Sequence, residues 1–309
     1  MRVRAALTCG TDLKLLARGH PRIPLPVTMG HEACGEIASL GEGVEGFALG
    51  ERVVPGISGP CRECTECLGG RANLCSQGFA DRSWGAFAEY LRVPSGVVAA
   101  NLHRVSPSLS DAAAAFLDPL ASVLHGWNRL RDPRGTVLLY GAGALALLWS
   151  ATARRRGLHA VVAGRRAERL LAAAALGADT IDTDREAPEE VLARGGALPE
   201  VAVDCTGSPE IWRRLAHLVR PGGQVLLFGG CAPGSQATWD AARLHYSEVS
   251  LVGSFHYTPE EAGAAMAMLA AGEVDPLSLL TDTGGLSDLP RFLEAQARGE
   301  GIRYGVVPS

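Results

Sequence analysis

The sequence predicts an α/β protein: a doubly wound parallel sheet joined to a second, β-rich domain. Three observations predict it. Residues 122–258 alternate short apolar runs with helical runs, the pattern of a parallel sheet covered on both faces. Residues 1–121 are dense in Gly, Pro and Cys and carry short β-like runs parted by turn signals. The chain has 309 residues, which at roughly 150 residues per domain favours two domains.

In the first region Cys34–Leu40, Arg52–Pro55 and Ala88–Val93 read as strands, with turns at Gly41-Glu42-Gly43 and Ser58-Gly59-Pro60. In the second, Val137–Tyr140, Ala160–Ala163, Val201–Asp204, Val225–Phe228 and Ser250–Val252 read as buried strands. Leu145–Arg156, Ala167–Leu176 and Glu210–Val219 read as helices, stopped by Gly177 and Pro221-Gly222-Gly223. The tail holds a helix near Pro259–Ala271 and a strand at Tyr304–Val307. The expected domains are 1–121 with 259–309, and 122–258.

Composition excludes several classes. A hydrophobic fraction of 47% supplies core material and excludes wholesale disorder. A formal net charge of −4 gives no footprint for a nucleic-acid backbone. Lys14 is the sole lysine in a chain with 29 basic residues. The uncharged window Thr136–Ala153 contains Gly141-Ala142-Gly143 in its middle, so strand, turn and helix explain it better than a membrane span. No signal peptide opens the chain, and the cysteine usage suits a reducing compartment. A cytoplasmic location, with no membrane or nucleic-acid partner, is the expectation.

Cysteine spacing carries the first chemical signal. Cys61, Cys64, Cys67 and Cys75 fall within fifteen residues, and four thiolates this close can close a tetrahedral structural zinc site on one loop. A second set is dispersed: Cys9-Gly10-Thr11-Asp12 and Gly30-His31-Glu32 offer ligands flanked by glycines. Cys9, His31 and a carboxylate would satisfy a catalytic zinc, which needs about three protein ligands and an open position.

The third signal is Gly141-Ala142-Gly143-Ala144-Leu145-Ala146, a G-x-G-x-x-A run between a strand and a helix. It is a dinucleotide fingerprint whose pyrophosphate rests on the helix N-terminus. The next strand ends at Gly164-Arg165-Arg166, where an NAD site would place an acid for the ribose 2′-hydroxyl. The acid is missing, and two guanidinium groups can clamp a 2′-phosphate. NADP is therefore expected rather than NAD.

Together these motifs, with Gly85–Tyr90 and Asp118-Pro119-Leu120, resemble the zinc-containing medium-chain dehydrogenase/reductase family over almost the whole chain. Within it the sequence is most similar to the sorbitol, threonine and sugar-alcohol dehydrogenase branch, through Asp118-Pro119-Leu120-Ala121. The resemblance implies a Rossmann domain and a discontinuous GroES-like catalytic domain, and two zinc ions per chain. It implies a catalytic zinc held by Cys9 and His31 with Glu32 and Asp118 as acidic partners, directly or through water. That branch usually has Glu where Asp118 stands.

The resemblance also implies that Thr11 hydrogen-bonds the substrate oxygen and passes its proton outward. Lys14 stands where a histidine commonly ends that relay. Gly229 and Ser254 match backbone positions that hold the nicotinamide, and Thr206, after the strand Val201–Asp204, lines the same crevice at the carboxyl edge of the sheet. The implied reaction moves hydride between a secondary alcohol, such as a polyol or sugar alcohol, and the nicotinamide. Amino alcohols and aminocyclitols are alternative substrates, and Trp84, Trp127 and Phe255 are candidate substrate walls. Family members carry strands before the segment matching Val3–Cys9, so the chain reads as shortened at its N-terminus, by a late start codon or a natural truncation. A catalytically impaired or regulatory relative is the competing reading. A homodimer or homotetramer is expected, paired through Ser250–Val252.

Overall fold

The protein is described by a computed structural model covering residues 1–19, 23, 25–80 and 82–308. The chain divides into two compact units, 1–122 with 256–309, and 123–255.

The first unit is built on β1 (Arg2–Leu7), β2 (Glu32–Glu36), β3 (Arg52–Pro55) and β4 (Leu102–Arg104). The second contains β5 (Thr136–Tyr140), β6 (His159–Gly164), β7 (Asp179–Asp182), β8 (Val201–Asp204), β9 (Gln224–Leu227) and β10 (Ser250–Gly253). The chain then returns to the first unit with β11 (Leu280–Gly284) and β12 (Arg303–Val306). Each unit holds one six-stranded sheet, in the orders β11-β12-β1-β2-β3-β4 and β10-β9-β8-β5-β6-β7.

In the first sheet β1 lies antiparallel to both β2 and β12. One side of it packs Val3, Ala6, Ala33, Phe87 and Val306 against Phe292 of the Leu289–Ala297 helix, whose ring stacks on Tyr304 at 4.9 Å. The expected strand at Ala88–Val93 does not form. That segment runs beside the first residues of β1, which β12 does not reach. The Val3 N–H donates to the Glu89 carbonyl and the Leu91 N–H to Met1, with one bridge at Arg2–Tyr90. Of the expected strand Cys34–Leu40 only residues 34–36 are strand, within an element that starts earlier, at Glu32.

All pairings in the second sheet are parallel. Its inner strands are apolar on both faces, with Leu138, Val161, Ala202 and Val225 buried together on one and Leu139, Val162, Val203 and Leu226 buried on the other. The strand order reverses direction at β5, between β8 and β6. This is the topological switch point, where loops at the carboxyl ends of the strands leave a crevice. Among the described residues no helix is long and apolar enough to cross a membrane.

Candidate metal and dinucleotide sites

Strand register assembles the first site. Cys9 lies two residues past β1, and His31 immediately precedes β2, which pairs antiparallel with β1 through Leu7 and Glu32. β12 pairs on the other side through Leu7 and Gly305, which brings Arg303 to the same sheet end. Gly30 turns the chain into His31 at φ +92°, where a Cβ would sit 2.8 Å from the Phe87 nitrogen, so only glycine fits. One ligand atom each from Cys9, His31 and Glu32 lies within 4.8 Å of the others.

The surroundings orient these three groups. Cys9 caps the Gly10–Arg18 helix, and the fully buried Asp12 accepts its N–H at 2.8 Å. The other Asp12 oxygen faces His31 Nδ1 at 3.6 Å, and among the described residues neither atom makes a hydrogen bond. That fixes Nδ1 toward the carboxylate and leaves Nε2, 3.9 Å from a Glu32 oxygen, as the free ligand atom. The second Glu32 oxygen is paired with buried Arg303. Trp84 stacks flat on the His31 ring at 4.7 Å.

Asp118 lies outside the 4.8 Å set. It is the second residue of the Leu117–Arg129 helix and accepts from Tyr257 Oη at 2.7 Å. The Ile57 N–H donates to that same hydroxyl at 3.3 Å, so the Tyr257 proton points at Asp118.

Charge is concentrated here among buried groups. Burial pushes the Cys9 thiol up, but the hydrogen bond and charge of His31, helped by Arg303, bring it down to about 7. Burial works against a charged His31, yet Asp12 and Cys9 hold it well above its ordinary value. Burial raises Glu32 well above the usual carboxylate range against the pull of Arg303, and raises Asp118 as well. A set of acids this buried calls for a cation. Thiolate, imidazole and carboxylate together suit zinc.

Thr11 and Lys14 lie three residues apart on the Gly10–Arg18 helix, each half-buried. Of the candidate walls, Trp127 is core: its indole donates to Thr152 at 2.9 Å and packs on Trp149. Phe255 is 47% exposed. Sequence reasoning missed Tyr257, Arg303 and the two-sided role of Asp12. Only Asp12 had a local signal, an acid three residues after a helix cap.

The cysteine lobe has the dimensions of a metal site. Cys61 Sγ lies 4.0 Å from Cys67 Sγ and 3.6 Å from Cys75 Sγ, and Cys64 lies 3.8 Å from Cys75. A tetrahedron with metal–sulfur bonds of about 2.3 Å has edges of about 3.8 Å. Backbone N–H groups of Glu63 and Cys64 bring the Cys61 thiol down to about 7.

The second unit carries the glycine turn. Gly141 follows β5 at φ +112°, and a Cβ there would meet Thr206 Cγ2 at 3.2 Å and Cys205 Cβ at 3.3 Å. Gly143 caps the Ala144–Arg155 helix, whose first turn contains Leu145 and Ala146 and leaves backbone N–H groups for an anion. Thr206, Gly229 and Ser254 follow β8, β9 and β10 at the same sheet edge. Gly164 ends β6, and exposed Arg165 and Arg166 follow it, Arg166 in the left-handed region at φ +75°. A Cβ on Gly164 would lie 2.7 Å from the Ala142 Cβ, so this glycine also packs the turn.

Comparison with known proteins places the chain in a family. Residues 1–103 match the alcohol dehydrogenase GroES-like domain, and residues 132–271 match the zinc-binding dehydrogenase domain. The chain is 30% identical to a sorbitol dehydrogenase of Halalkalibacterium halodurans, covering 100% of this chain and 91% of the relative. It is 28% identical to an L-threonine 3-dehydrogenase of Alteromonas mediterranea, over 97% of this chain and 89% of the relative. It also superimposes on a zinc-binding dehydrogenase from Sinorhizobium meliloti solved with NADP. The TM-score is 0.88 at 28% identity, covering 99% of this chain and 91% of the other. The chain belongs to the zinc-containing medium-chain dehydrogenase/reductase family and is an NAD(P)-dependent alcohol dehydrogenase.

Proposed function

We propose that the protein is a zinc-dependent dehydrogenase that transfers hydride between a secondary alcohol, of the polyol or sugar-alcohol kind, and NADP. The observation that carries this reading is the buried Cys9–His31–Glu32 donor set, with Asp12 behind the imidazole. Cys9 and His31 would hold the zinc with a carboxylate from Glu32 or Asp118, and the metal would act there as a Lewis acid on the alcohol oxygen. Thr11 accepts the hydroxyl proton, and Lys14, one helical turn on, carries it outward. Arg303 keeps Glu32 compensated, and Tyr257 orients Asp118.

The first unit then serves as the catalytic domain and the second as the dinucleotide-binding domain. The Gly141–Ala146 turn and helix start would hold the pyrophosphate, and Thr206, Gly229 and Ser254 would flank the nicotinamide. Arg165 and Arg166 meet the 2′-phosphate, since Gly164 offers NAD no carboxylate. The four-cysteine lobe holds a structural zinc. The intact Cys9, His31 and Thr11 argue against a non-catalytic relative. The names of the relatives support sorbitol-like polyols and the hydroxy amino acid threonine as substrate classes. The test is kcat/KM for polyols, amino alcohols, aminocyclitols and simple secondary alcohols, each with NADP and with NAD. Turnover of a secondary alcohol with NADP is expected. Absence of turnover by zinc-replete protein on every class would overturn the reading.

A further inference from the structure

At the switch point of the second sheet one fully buried carboxylate organises the loop facing the glycine turn. Asp204 ends β8 and is 0% exposed. Its Oδ1 accepts from the Thr206 N–H at 2.9 Å and the Thr206 hydroxyl at 2.5 Å. Its Oδ2 accepts from the Gly207 N–H at 2.9 Å and the Trp212 indole N–H at 2.7 Å. Both oxygens are spent on donors of the chain itself, so this residue has nothing left to offer a ligand.

What it holds is the crevice wall. Thr206 Cγ2 lies against Gly141, the first glycine of the fingerprint. Gly207, at φ +72°, lies so close to the loop after β9 that a Cβ there would be 2.5 Å from the Gly230 carbonyl oxygen. The Gly229 N–H donates to the Asp204 carbonyl oxygen at 2.8 Å, and a Cβ on Gly229 would be 2.3 Å from the Gly207 nitrogen. The loops after β5, β8 and β9 therefore touch through backbone and small groups. Asp204 bonds two of the residues that set their spacing through its side chain, and a third through its carbonyl.

We propose that Asp204 is a positioning residue for the dinucleotide: it fixes Thr206 and Gly207 against Gly141 and Gly229, so that the cofactor seat is formed before the cofactor arrives. The proposal rests on the cofactor reading above. Preformed donors and surfaces spare the bound state the cost of ordering them, so loosening this loop shows in cofactor affinity first. Asparagine at 204 cannot reproduce the pattern. Its amide oxygen serves one pair of donors and its NH2 group then faces the other pair. The Thr206 hydroxyl can turn to accept, but the Thr206 N–H cannot, which places the defect at the Thr206 end of the loop.

The test uses the purified holoenzyme and its Asp204→Asn variant. Calorimetric titration with NADP and with NAD gives Kd, and steady-state kinetics separate cofactor KM from alcohol KM. Val225→Ala, a cavity in the neighbouring strand, serves as a control for lost stability alone. Asp204→Asn is expected to raise Kd of the preferred dinucleotide about tenfold, with alcohol KM within twofold. Val225→Ala should lower Tm and leave that Kd unchanged. Folded Asp204→Asn protein with Kd within twofold of the unmodified enzyme would overturn the proposal. If Asp204→Asn does not fold, Trp212→Phe decides, because it removes one of the four donors: a Kd raised about threefold supports the proposal and an unchanged Kd overturns it. Unmodified holoenzyme that binds neither dinucleotide would remove the underlying cofactor reading, and this inference with it.

Discussion

Asp12 shows how much one buried side chain carries. One oxygen caps the first turn of the Gly10–Arg18 helix through Cys9 N–H, and the other faces His31 Nδ1. Asp12→Ala is expected to cost roughly 1–2 kcal/mol at the helix cap. It should also weaken metal retention at this site by about 10–100-fold, the usual loss when a partner behind a metal-bound histidine is removed. Zinc release to a competing chelator measures the second effect and thermal unfolding the first; unchanged retention would show that the carboxylate does not orient His31. Tyr257→Phe is a separate case. It leaves Asp118 without its donor and strands the Ile57 N–H, so a stability loss of about 1–3 kcal/mol is expected, with a fall in kcat. The site's near neighbours in sequence were legible because Cys9 and His31 sit in short glycine-bounded segments. Tyr257 and Arg303 were not, because nothing local marks them; only strand pairing and the chain's return to the first unit bring them in.

At the scale of elements, burial on both faces made the strands of the parallel sheet legible. β7 was missed: its Asp179 and Thr180 are exposed and Ile181 alone is buried, so it has no apolar run to read. The Gly10–Arg18 helix was hidden for the opposite reason, since a polar Asp12 occupies a buried position beside Leu15. On the proposed reading, cofactor choice is decided where β6 meets the Ala167–Ala175 helix. A charge-assisted contact to the 2′-phosphate is worth roughly 1.5–3 kcal/mol, or about one to two decades of affinity. Arg166→Ala should therefore raise KM for NADP far more than for NAD. Equal kcat/KM with both cofactors in the unmodified enzyme would show that the arginines do not meet the phosphate. The obvious reverse substitution, Gly164→Asp, is not a clean swap. Its Cβ would press on Ala142, so it is expected to weaken both cofactors by disturbing the turn. In the cysteine lobe, Cys64→Ser opens one corner of the tetrahedral set. Loss of the lobe's order by limited proteolysis is expected, with one zinc per chain remaining.

For the whole molecule, two donor sets imply two zinc ions per chain, and elemental analysis giving one or none would remove one of the assignments. Assembly is argued from the end of the second sheet. Among the described residues β10 pairs with β9 alone, so it is an edge strand, and the backbone groups of such an edge are a template for another strand, although the Gly253 carbonyl already accepts from Arg129 at 3.3 Å. The Ser250 N–H donates to Gly223 and the Ser254 N–H to Leu227, both toward β9. By the alternation of a strand, the Leu251 and Gly253 N–H groups point outward. An antiparallel pair of these edges across a two-fold axis satisfies them and continues the sheet into a second copy. Light scattering at micromolar concentration is therefore expected to give a dimer or tetramer of the 32.3 kDa chain. Gly253→Pro tests the edge directly. It deletes one outward N–H, and a Cβ at Gly253 would meet nothing within 4 Å. The variant should keep its fold and its zinc while shifting toward monomer. A monomeric unmodified protein, or a Gly253→Pro variant that assembles as before, would show that this edge is not the interface.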